Sequence, residues 1–278
     1  ESGESGPLPS PPLQAGEGAR AWIATRGNPL RGELTVPGDK SISHRAIMFG
    51  ALADGSTRID GFLEGEDTRA TAAIFAQMGV RIEAPSEGVR IVHGVGLHGL
   101  QPPAGPLDCG NAGTAMRLLA GLLAAQRFDS VRVGDASLSK RPMRRVIEPL
   151  QAMGAIIESN DGRAPLRIRG GQSLQGIEYA LPVASAQIKS ALLLAGLYAQ
   201  GETHVREPHP TRDYSERMLA AFGASCAFVP GEAALLGGFP LQARDVSVPA
   251  DFSSAAFFIV AASIVPGSEL VLRKVGMN

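Results

Sequence analysis

Residues 32–63 read GELTVPGDKSISHRAIMFGALADGSTRIDGFL. This segment contains a strand-like run, a loop of small residues, an Ala/Leu-rich run with helical spacing, a polar turn and a second β-branched run. The same order recurs at residues 107–138, 179–208 and 246–276. Self-similarity at a fixed period indicates one supersecondary unit whose copies pack against one another.

A second helical pattern follows each of the first three copies and ends at a glycine, at Gly79, Gly154 and Gly223. Glycine after the last helical turn, followed by β-branched residues, is typical of a helix C-cap that leads into a strand. The repeated unit is therefore predicted to be βαβαββ, about 70 residues long, in an α/β fold. The fourth copy stops before its second helix, so we expect the sequence to be the N-terminal part of a longer protein. A natural short form is the alternative.

The chain has 278 residues, 44% of them hydrophobic, and its 26 Lys and Arg balance 27 Asp and Glu. This length and apolar content suffice for one large or two medium-sized domains with a buried core. The net charge of −1 excludes a globally basic nucleic-acid-binding protein. Two cysteines exclude a disulfide scaffold and a Cys-rich zinc module. No apolar run is long enough to span a bilayer, so a soluble, cytoplasmic protein is predicted.

Residues 1–19 consist almost wholly of Gly, Pro, Ser, Glu and Ala. Such a segment cannot bury enough apolar surface to offset the entropy of ordering it, so a disordered tail is predicted. It also lacks the basic start and apolar core of a signal peptide, and secretion is not expected.

Three loops of small residues lead directly into predicted helices, and each has a cation within the first helical turns. The loops lie at residues 37–41, 110–114 and 184–187. Free backbone N–H groups and the positive end of the helix dipole make such helix starts anion-binding sites. The pattern predicts a pocket for a small ligand that carries phosphate or carboxylate groups. The basic residues of the loops and of nearby segments are Lys40, His44, Arg45, Arg117, Arg141, Lys189 and Arg212.

Each of these features also has a simpler interpretation. A loop of small residues before a helix is often only a tight turn, and Ser41, Thr114 and Ser185 are common N-cap residue types. Lys189 is by default a surface lysine, and Cys109 by default a packing residue. Other such residues are Arg144 and Arg145 on a solvated helix face, Asp251 as a cap, and His93, His98, His204 and His209, which lack metal-ligand spacing.

Six motifs in order carry a more specific signal, and they resemble the motifs of the 5-enolpyruvylshikimate-3-phosphate synthase family. The resemblance extends from about residue 26 to residue 278, and six motifs in register are far more specific than any one of them. They are GDKSISHR at 38–45, GNAGTAMR at 110–117, KRPM at 140–143, ASAQIKSA at 184–191, Arg212-Asp213, and DFSSA at 251–255.

The resemblance implies an enzyme that transfers the enolpyruvyl group of phosphoenolpyruvate to the 5-hydroxyl of shikimate 3-phosphate and releases phosphate. This reaction lies in the shikimate pathway to chorismate and the aromatic amino acids. The family needs no cofactor or metal, and we expect a monomer that acts on these small molecules and binds neither nucleic acid nor membrane.

The family fold has two domains, each made of three βαβαββ units around a pseudo-threefold axis. The resemblance therefore implies a first domain at residues 38–247 and a fragment of the second domain at residues 20–37 and 248–278. In this family the acidic base and further charged groups come from the C-terminal half. We therefore expect these 278 residues alone to have little or no turnover.

The resemblance also assigns residues to the two substrates. Lys40 is implied as the catalytic residue, which contacts phosphoenolpyruvate and takes part in proton transfers. Gly113 is the position at which family members meet the inhibitor glyphosate, a competitor of phosphoenolpyruvate. The implied residues for shikimate 3-phosphate are Lys40, Ser41, Arg45, Ser185, Gln187 and Arg212. Those for phosphoenolpyruvate are Lys40, Asn111, Gly113, Thr114, Arg117, Arg141 and Gln187.

Two alternatives remain at this point. The enolpyruvyl transferase that acts on UDP-N-acetylglucosamine shares the fold, but its first helix starts with Lys-Asn where this chain has Lys40-Ser41. A non-catalytic remnant that binds shikimate 3-phosphate is the second alternative, and the length of the natural open reading frame would distinguish it from the enzyme.

Overall fold

A computed structural model describes residues 27–277 of the chain. The tail predicted at residues 1–19, and residues 20–26 of the predicted second-domain fragment, lie outside the described part. The helices in chain order are α1 (Lys40–Leu52), α2 (Glu66–Gln77), α3 (Gly113–Ala124), α4 (Arg144–Ala152), α5 (Ala186–Gly196), α6 (Tyr214–Ala221) and α7 (Phe252–Ile264). The strands are β1 (Arg31–Leu34), β2 (Ala53–Asp60), β3 (Arg81–Ser86), β4 (Val89–Val95), β5 (Leu107–Asp108), β6 (Ser130–Val133), β7 (Ile156–Asn160), β8 (Arg163–Arg169), β9 (Glu178–Ala180), β10 (Glu202–Arg206), β11 (Ser225–Val229), β12 (Glu232–Leu236), β13 (Leu241–Gln242), β14 (Val246–Ser247) and β15 (Glu269–Leu272).

The sheets repeat one pattern, as the sequence predicts. The second unit forms a sheet of order β5-β6-β8-β7 and the third a sheet of order β9-β10-β12-β11. In each, the first two strands are parallel and the other neighbours antiparallel. The prediction of an α/β fold built from repeated βαβαββ units is confirmed.

The first unit differs in the origin of one strand. The sequence pattern places a strand near residues 32–36 at the start of this unit, but β1 pairs in parallel with β15 in a separate two-stranded sheet. The parallel neighbours of β2 are instead β13 and β14, from the chain that leaves the third unit. The end of the third unit therefore completes the sheet of the first.

The central helices α1, α3 and α5 are buried because they are apolar or small on nearly every side. Helices α3 and α5 approach closely at Gly121, where an added Cβ would lie 1.8 Å from the carbonyl oxygen of Ala191. Only glycine allows this contact, which holds the two helices side by side. The outer helix α4 is amphipathic, and it buries Ile147 and Leu150 as their helical spacing predicts.

A smaller part of the structure lies apart from the main core. Val36, Ala250 and Ala255 form their own buried cluster next to the β1–β15 sheet. Helix α7 leaves large apolar side chains exposed, with Phe257 at 79% and Ile264 at 72% of their full exposure. Within residues 27–277, no helix combines the length and apolar character needed to cross a membrane.

Candidate functional site

Two arginines converge over the first residue of α3. A Cβ built on Gly113 would lie 2.9 Å from Nη1 of Arg117 and 3.0 Å from Nη1 of Arg141. Arg117 donates to the side-chain oxygen of Gln187 at 3.0 Å, and Arg141 donates to the side-chain oxygen of Asn111. Within the described residues neither guanidinium has a carboxylate partner, so both charges remain available for an anion.

The electrostatics of this arginine pair fit an anion site. Burial, together with the positive charges of Arg141 and Arg145, lowers the pKa of Arg117 below its usual range. Mutual repulsion of this kind is relieved when a negative group binds between the cations.

Asp135 supports the loop that holds Arg141. The Asn111 amide donates to Asp135 Oδ2 at 2.7 Å, and the backbone N–H of Leu138 donates to Asp135 Oδ1 at 2.7 Å. These two hydrogen bonds, with the Leu138 N–H contributing most, lower the pKa of the Asp135 carboxyl. Sequence reasoning missed Asp135, although an acid shortly before the KRPM motif was a usable signal.

Gln187 joins the N-terminal ends of α3 and α5. Its oxygen accepts from Arg117 at 3.0 Å, and its amide nitrogen donates to Thr114 Oγ1 at 3.0 Å. Two helix starts with their free N–H groups therefore lie next to each other, as the loop pattern requires.

A cleft of about 1050 Å³ opens beside the start of α5. Ser185 and Arg212 both line it, together with Tyr214 and Pro249. The Ser185 hydroxyl accepts a long hydrogen bond of 3.4 Å from the Ile188 N–H, so Ser185 is also the N-cap of α5. Arg212 is exposed and, among residues 27–277, forms no ion pair. The structure brings these two predicted residues together.

Arg45 lies beneath this cleft and is only 3% exposed. It donates to Ser215 Oγ at 2.7 Å, to Ser190 Oγ at 2.8 Å and to the Ser41 carbonyl oxygen at 3.0 Å. Burial lowers its pKa to about 10. A guanidinium has five N–H donors, so two remain, on Nη1 and Nη2, for a ligand oxygen.

Lys40 stands at the start of α1 and is half exposed. Its Nζ lies 3.0 Å from Oδ2 of Asp67, and it forms no hydrogen bond with the other predicted site residues among residues 27–277. The preceding residue, Asp39, caps α1 through the Ile42 N–H and accepts from the Tyr214 hydroxyl at 3.3 Å. The start of α1 is therefore tied to the start of α6 at the cleft.

The default interpretation of Lys189 as a surface residue is wrong. Its Nζ lies 2.6 Å from Glu207 Oε2 and 2.7 Å from Glu216 Oε1, and all three side chains are at most 2% exposed. Burial alone would lower the pKa of Lys189, but the hydrogen bonds that its ammonium group donates to the two glutamates raise it overall. The one signal in the sequence was a lysine inside the mostly apolar helix α5, because a lysine that is buried needs an acidic partner.

The interpretation of Ser41 and Thr114 as N-caps is wrong, because Asp39 caps α1 and Ala112 is the N-cap position of α3. The simple interpretations of Asp251, Cys109, Arg144 and Arg145 hold. Asp251 caps α7 through the Ser253 N–H at 3.0 Å. Cys109 is buried, and burial raises the pKa of its thiol to about 12, as for a packing residue. Arg144 is exposed and paired with the exposed Asp161, whereas its neighbour Arg145 donates to the Val183 carbonyl oxygen at 3.2 Å.

The chain is similar over most of its length to known proteins of one family. The model of the family described as EPSP synthase (3-phosphoshikimate 1-carboxyvinyltransferase) matches residues 24–278. A 3-phosphoshikimate 1-carboxyvinyltransferase of Xanthomonas campestris pv. campestris strain B100 is 74% identical over 258 residues, which are 92% of this chain and 59% of that protein. The protein of the same name from Xanthomonas oryzae pv. oryzae strain PXO99A is 73% identical over the same shares of both chains.

A solved structure of EPSP synthase from Acinetobacter baumannii is similar in fold. It has a TM-score of 0.85 and 56% sequence identity, and the match covers 91% of this chain and 57% of that one. The chain thus spans about 59% of the length of the curated relatives that it matches.

Proposed function

Because the chain belongs to the EPSP synthase family, we propose that its protein transfers the enolpyruvyl group of phosphoenolpyruvate to the 5-hydroxyl of shikimate 3-phosphate. Phosphate is the second product, and the reaction belongs to the shikimate pathway to chorismate and the aromatic amino acids. The observation that carries the proposal is a pair of arginine sites without carboxylate partners at two neighbouring helix starts.

The first site is assigned to phosphoenolpyruvate. Arg117 and Arg141 bind its phosphate and carboxylate, because guanidinium groups match such anions with paired hydrogen bonds. Gly113 leaves the space between them free, and Asn111 and Thr114 hold the loop and the helix start in place.

The second site is assigned to shikimate 3-phosphate. Ser185 and Arg212 line the cleft, and the start of α5 adds its N–H groups and dipole. Ser41 and Arg45 lie on the α1 side, where Arg45 has two N–H donors to spare. Gln187 lies between the two sites and would contact both substrates.

Lys40 is assigned to the proton transfers. Its half-exposed ion pair with Asp67 is of a kind worth only about 0–1 kcal/mol, so a substrate anion can replace the partner at little cost. The reaction forms a bond between the acceptor oxygen and the enolpyruvyl carbon and breaks the bond from that carbon to phosphate. Two anions must therefore be held in contact, which the neighbouring helix starts favour.

We assign residues 38–247 to one domain, and residues 20–37 and 248–278 to part of a second. The separate β1–β15 sheet, the small cluster around Ala250 and the exposed apolar face of α7 support this division. Since the relatives are longer, residues 1–278 alone are expected to bind shikimate 3-phosphate but to turn over little or not at all. A monomeric state and a cytoplasmic location stay predictions from the sequence.

The proposal is tested by calorimetric titration and by a phosphate-release assay of the full-length protein. Saturable heat is expected with shikimate 3-phosphate and not with UDP-N-acetylglucosamine, and it should be lost in Arg212→Ala. Phosphate release is expected only with both substrates and should fall in Arg117→Gln. Arg144→Gln, which changes an arginine already paired with Asp161, is the matched control.

Two outcomes would contradict the proposal. Heat with the sugar nucleotide alone would identify a different acceptor, an alternative that the family match does not support. Binding of shikimate 3-phosphate by the full-length protein without any phosphate release would indicate a binding protein instead of an enzyme.

A further inference from the structure

A buried charged cluster lies directly beneath the second site, and it consists of Lys189, Glu207 and Glu216. We propose that Glu207 and Lys189 are positioning residues that hold Ser185 and Arg212 at the separation needed for the acceptor substrate. This inference rests on the proposed function, because it concerns the residues assigned to shikimate 3-phosphate.

Glu207 contacts both segments that form the site. Its Oε1 accepts from the Ser185 N–H at 3.0 Å and from the Thr211 hydroxyl at 2.7 Å. Its Oε2 accepts from Lys189 Nζ at 2.6 Å and from the Thr211 N–H at 3.3 Å. Thr211 directly precedes Arg212, so one carboxylate joins the capping residue of α5 to the segment that carries the arginine.

Lys189 makes this buried carboxylate possible and extends the cluster to α6. It neutralises Glu207 and also pairs with Glu216 in the first turn of α6. Ser190, next to Lys189, and Ser215, next to Glu216, extend these contacts. Their hydroxyl groups hydrogen-bond each other at 2.7 Å, and both accept from Arg45. The cluster thus connects α1, α5 and α6 beneath the cleft.

Stability alone does not account for this arrangement. Replacing a buried ion pair by apolar side chains of similar volume is often neutral or stabilising. Here three charges are buried together, and Oε2 of Glu216 has no hydrogen-bond partner within the described residues. The cluster instead fixes the positions of the site segments, since each hydrogen bond to Glu207 holds one of these segments in place. A binding site whose parts are held before the ligand arrives loses less entropy on binding.

The test compares binding with stability in the full-length protein. In the triple variant Lys189→Met/Glu207→Leu/Glu216→Gln, all three buried charges are removed together, so that none is left buried without a partner. We expect a melting temperature close to that of the parent, and a dissociation constant for shikimate 3-phosphate at least about tenfold higher. The KM for phosphoenolpyruvate should change by no more than about twofold, since Arg117 and Arg141 lie outside the cluster.

The exposed pair Arg206 and Glu178 supplies the matched control, because Arg206 is the immediate neighbour of Glu207. Arg206→Met/Glu178→Leu should leave both substrate constants unchanged. If the buried triple variant does not fold, Glu207→Gln replaces it, since it keeps the volume but puts an amide donor among the donors of Ser185, Lys189 and Thr211. Its affinity for shikimate 3-phosphate should then fall between those of the parent and a variant without the site, Arg212→Ala.

The failures can be told apart. A parent protein that does not bind shikimate 3-phosphate contradicts the proposed function. A parent that binds it, with a folded Lys189→Met/Glu207→Leu/Glu216→Gln or Glu207→Gln variant that binds it equally well, overturns the positioning role and leaves the function intact. Equal weakening in the Arg206→Met/Glu178→Leu control would also overturn it.

Discussion

At Gly113 the missing side chain leaves the space into which Arg117 and Arg141 point. A methyl group there would come within 2.9 Å of one guanidinium and 3.0 Å of the other. Both atoms are the far ends of flexible side chains, so they can move aside, but they would then leave the position in which they converge. The residue therefore acts on the anion site without contributing any atom to it.

Gly113→Ala is accordingly expected to raise the KM for phosphoenolpyruvate by about tenfold, with little change in melting temperature. Steady-state kinetics and thermal unfolding of the full-length protein measure the two effects. Gly105→Ala is the control, because a Cβ at Gly105 meets nothing within 4 Å. A large fall in melting temperature for Gly113→Ala would show that the guanidinium groups cannot move.

The adjacent residues Arg144 and Arg145 offer a second comparison. Arg144 is paired with Asp161, whereas Arg145 has no carboxylate partner among residues 27–277 and adds to the positive charge around Arg117. Arg145→Gln should raise the KM for phosphoenolpyruvate by about two- to fivefold, and more strongly at low ionic strength because the effect acts through space. Arg144→Gln should not. Equal effects of the two substitutions would contradict this view.

Helix α1 carries a pH-dependent contribution to stability at His44. The side chain is buried, with Nδ1 2.7 Å from Thr71 Oγ1 and no partner for Nε2 within the described part. Burial, reinforced by the charge of Arg45, lowers the pKa of His44 from 6.5 to about 3. As the pH falls, His44 binds a proton near pH 6.5 in the unfolded chain but only near pH 3 in the folded chain. The free energy of unfolding therefore decreases as the pH falls from about 6.5 towards 3.

Between pH 7 and pH 5 this residue alone should reduce the free energy of unfolding by about 2 kcal/mol. Urea unfolding at the two pH values measures the loss, and His44→Gln should show a correspondingly smaller one. An equal loss in parent and variant would mean that other groups dominate the acid sensitivity.

Local sequence patterns predicted the helices and strands well, but they predicted less well which strands pair and which side chains meet. The loops of small residues marked the starts of α1, α3 and α5, and Ser185 and Asp251 do cap their helices. The parallel strands that flank β2 were not predicted, because Leu241 pairs with Ala53 across most of the chain. Likewise nothing near Lys189 indicates that Glu207 and Glu216 neutralise it, since only the fold brings α5 and α6 together.

Over the molecule as a whole, exposed large apolar side chains are concentrated on α7, between Phe252 and Ile264. A contiguous exposed apolar surface marks a site that another part or partner covers. Residues 1–278 alone should therefore bind a hydrophobic dye such as ANS more strongly than the full-length protein does. Phe257→Ser/Ile264→Ser should reduce the fluorescence of the short form, and equal dye binding by both forms would contradict the domain division proposed above.

The pairing of β1 with β15 also has a consequence for synthesis on the ribosome. The two strands are 238 residues apart in the chain. At 5–20 residues per second, β1 waits roughly 10 to 50 s for its partner to be translated. During that interval the three units can fold while β1 remains a free edge, short and charged at Arg31 and Glu33, which discourages pairing with other nascent chains. The residues of β1 are thus among the first described residues to leave the ribosome and among the last to pair with another strand.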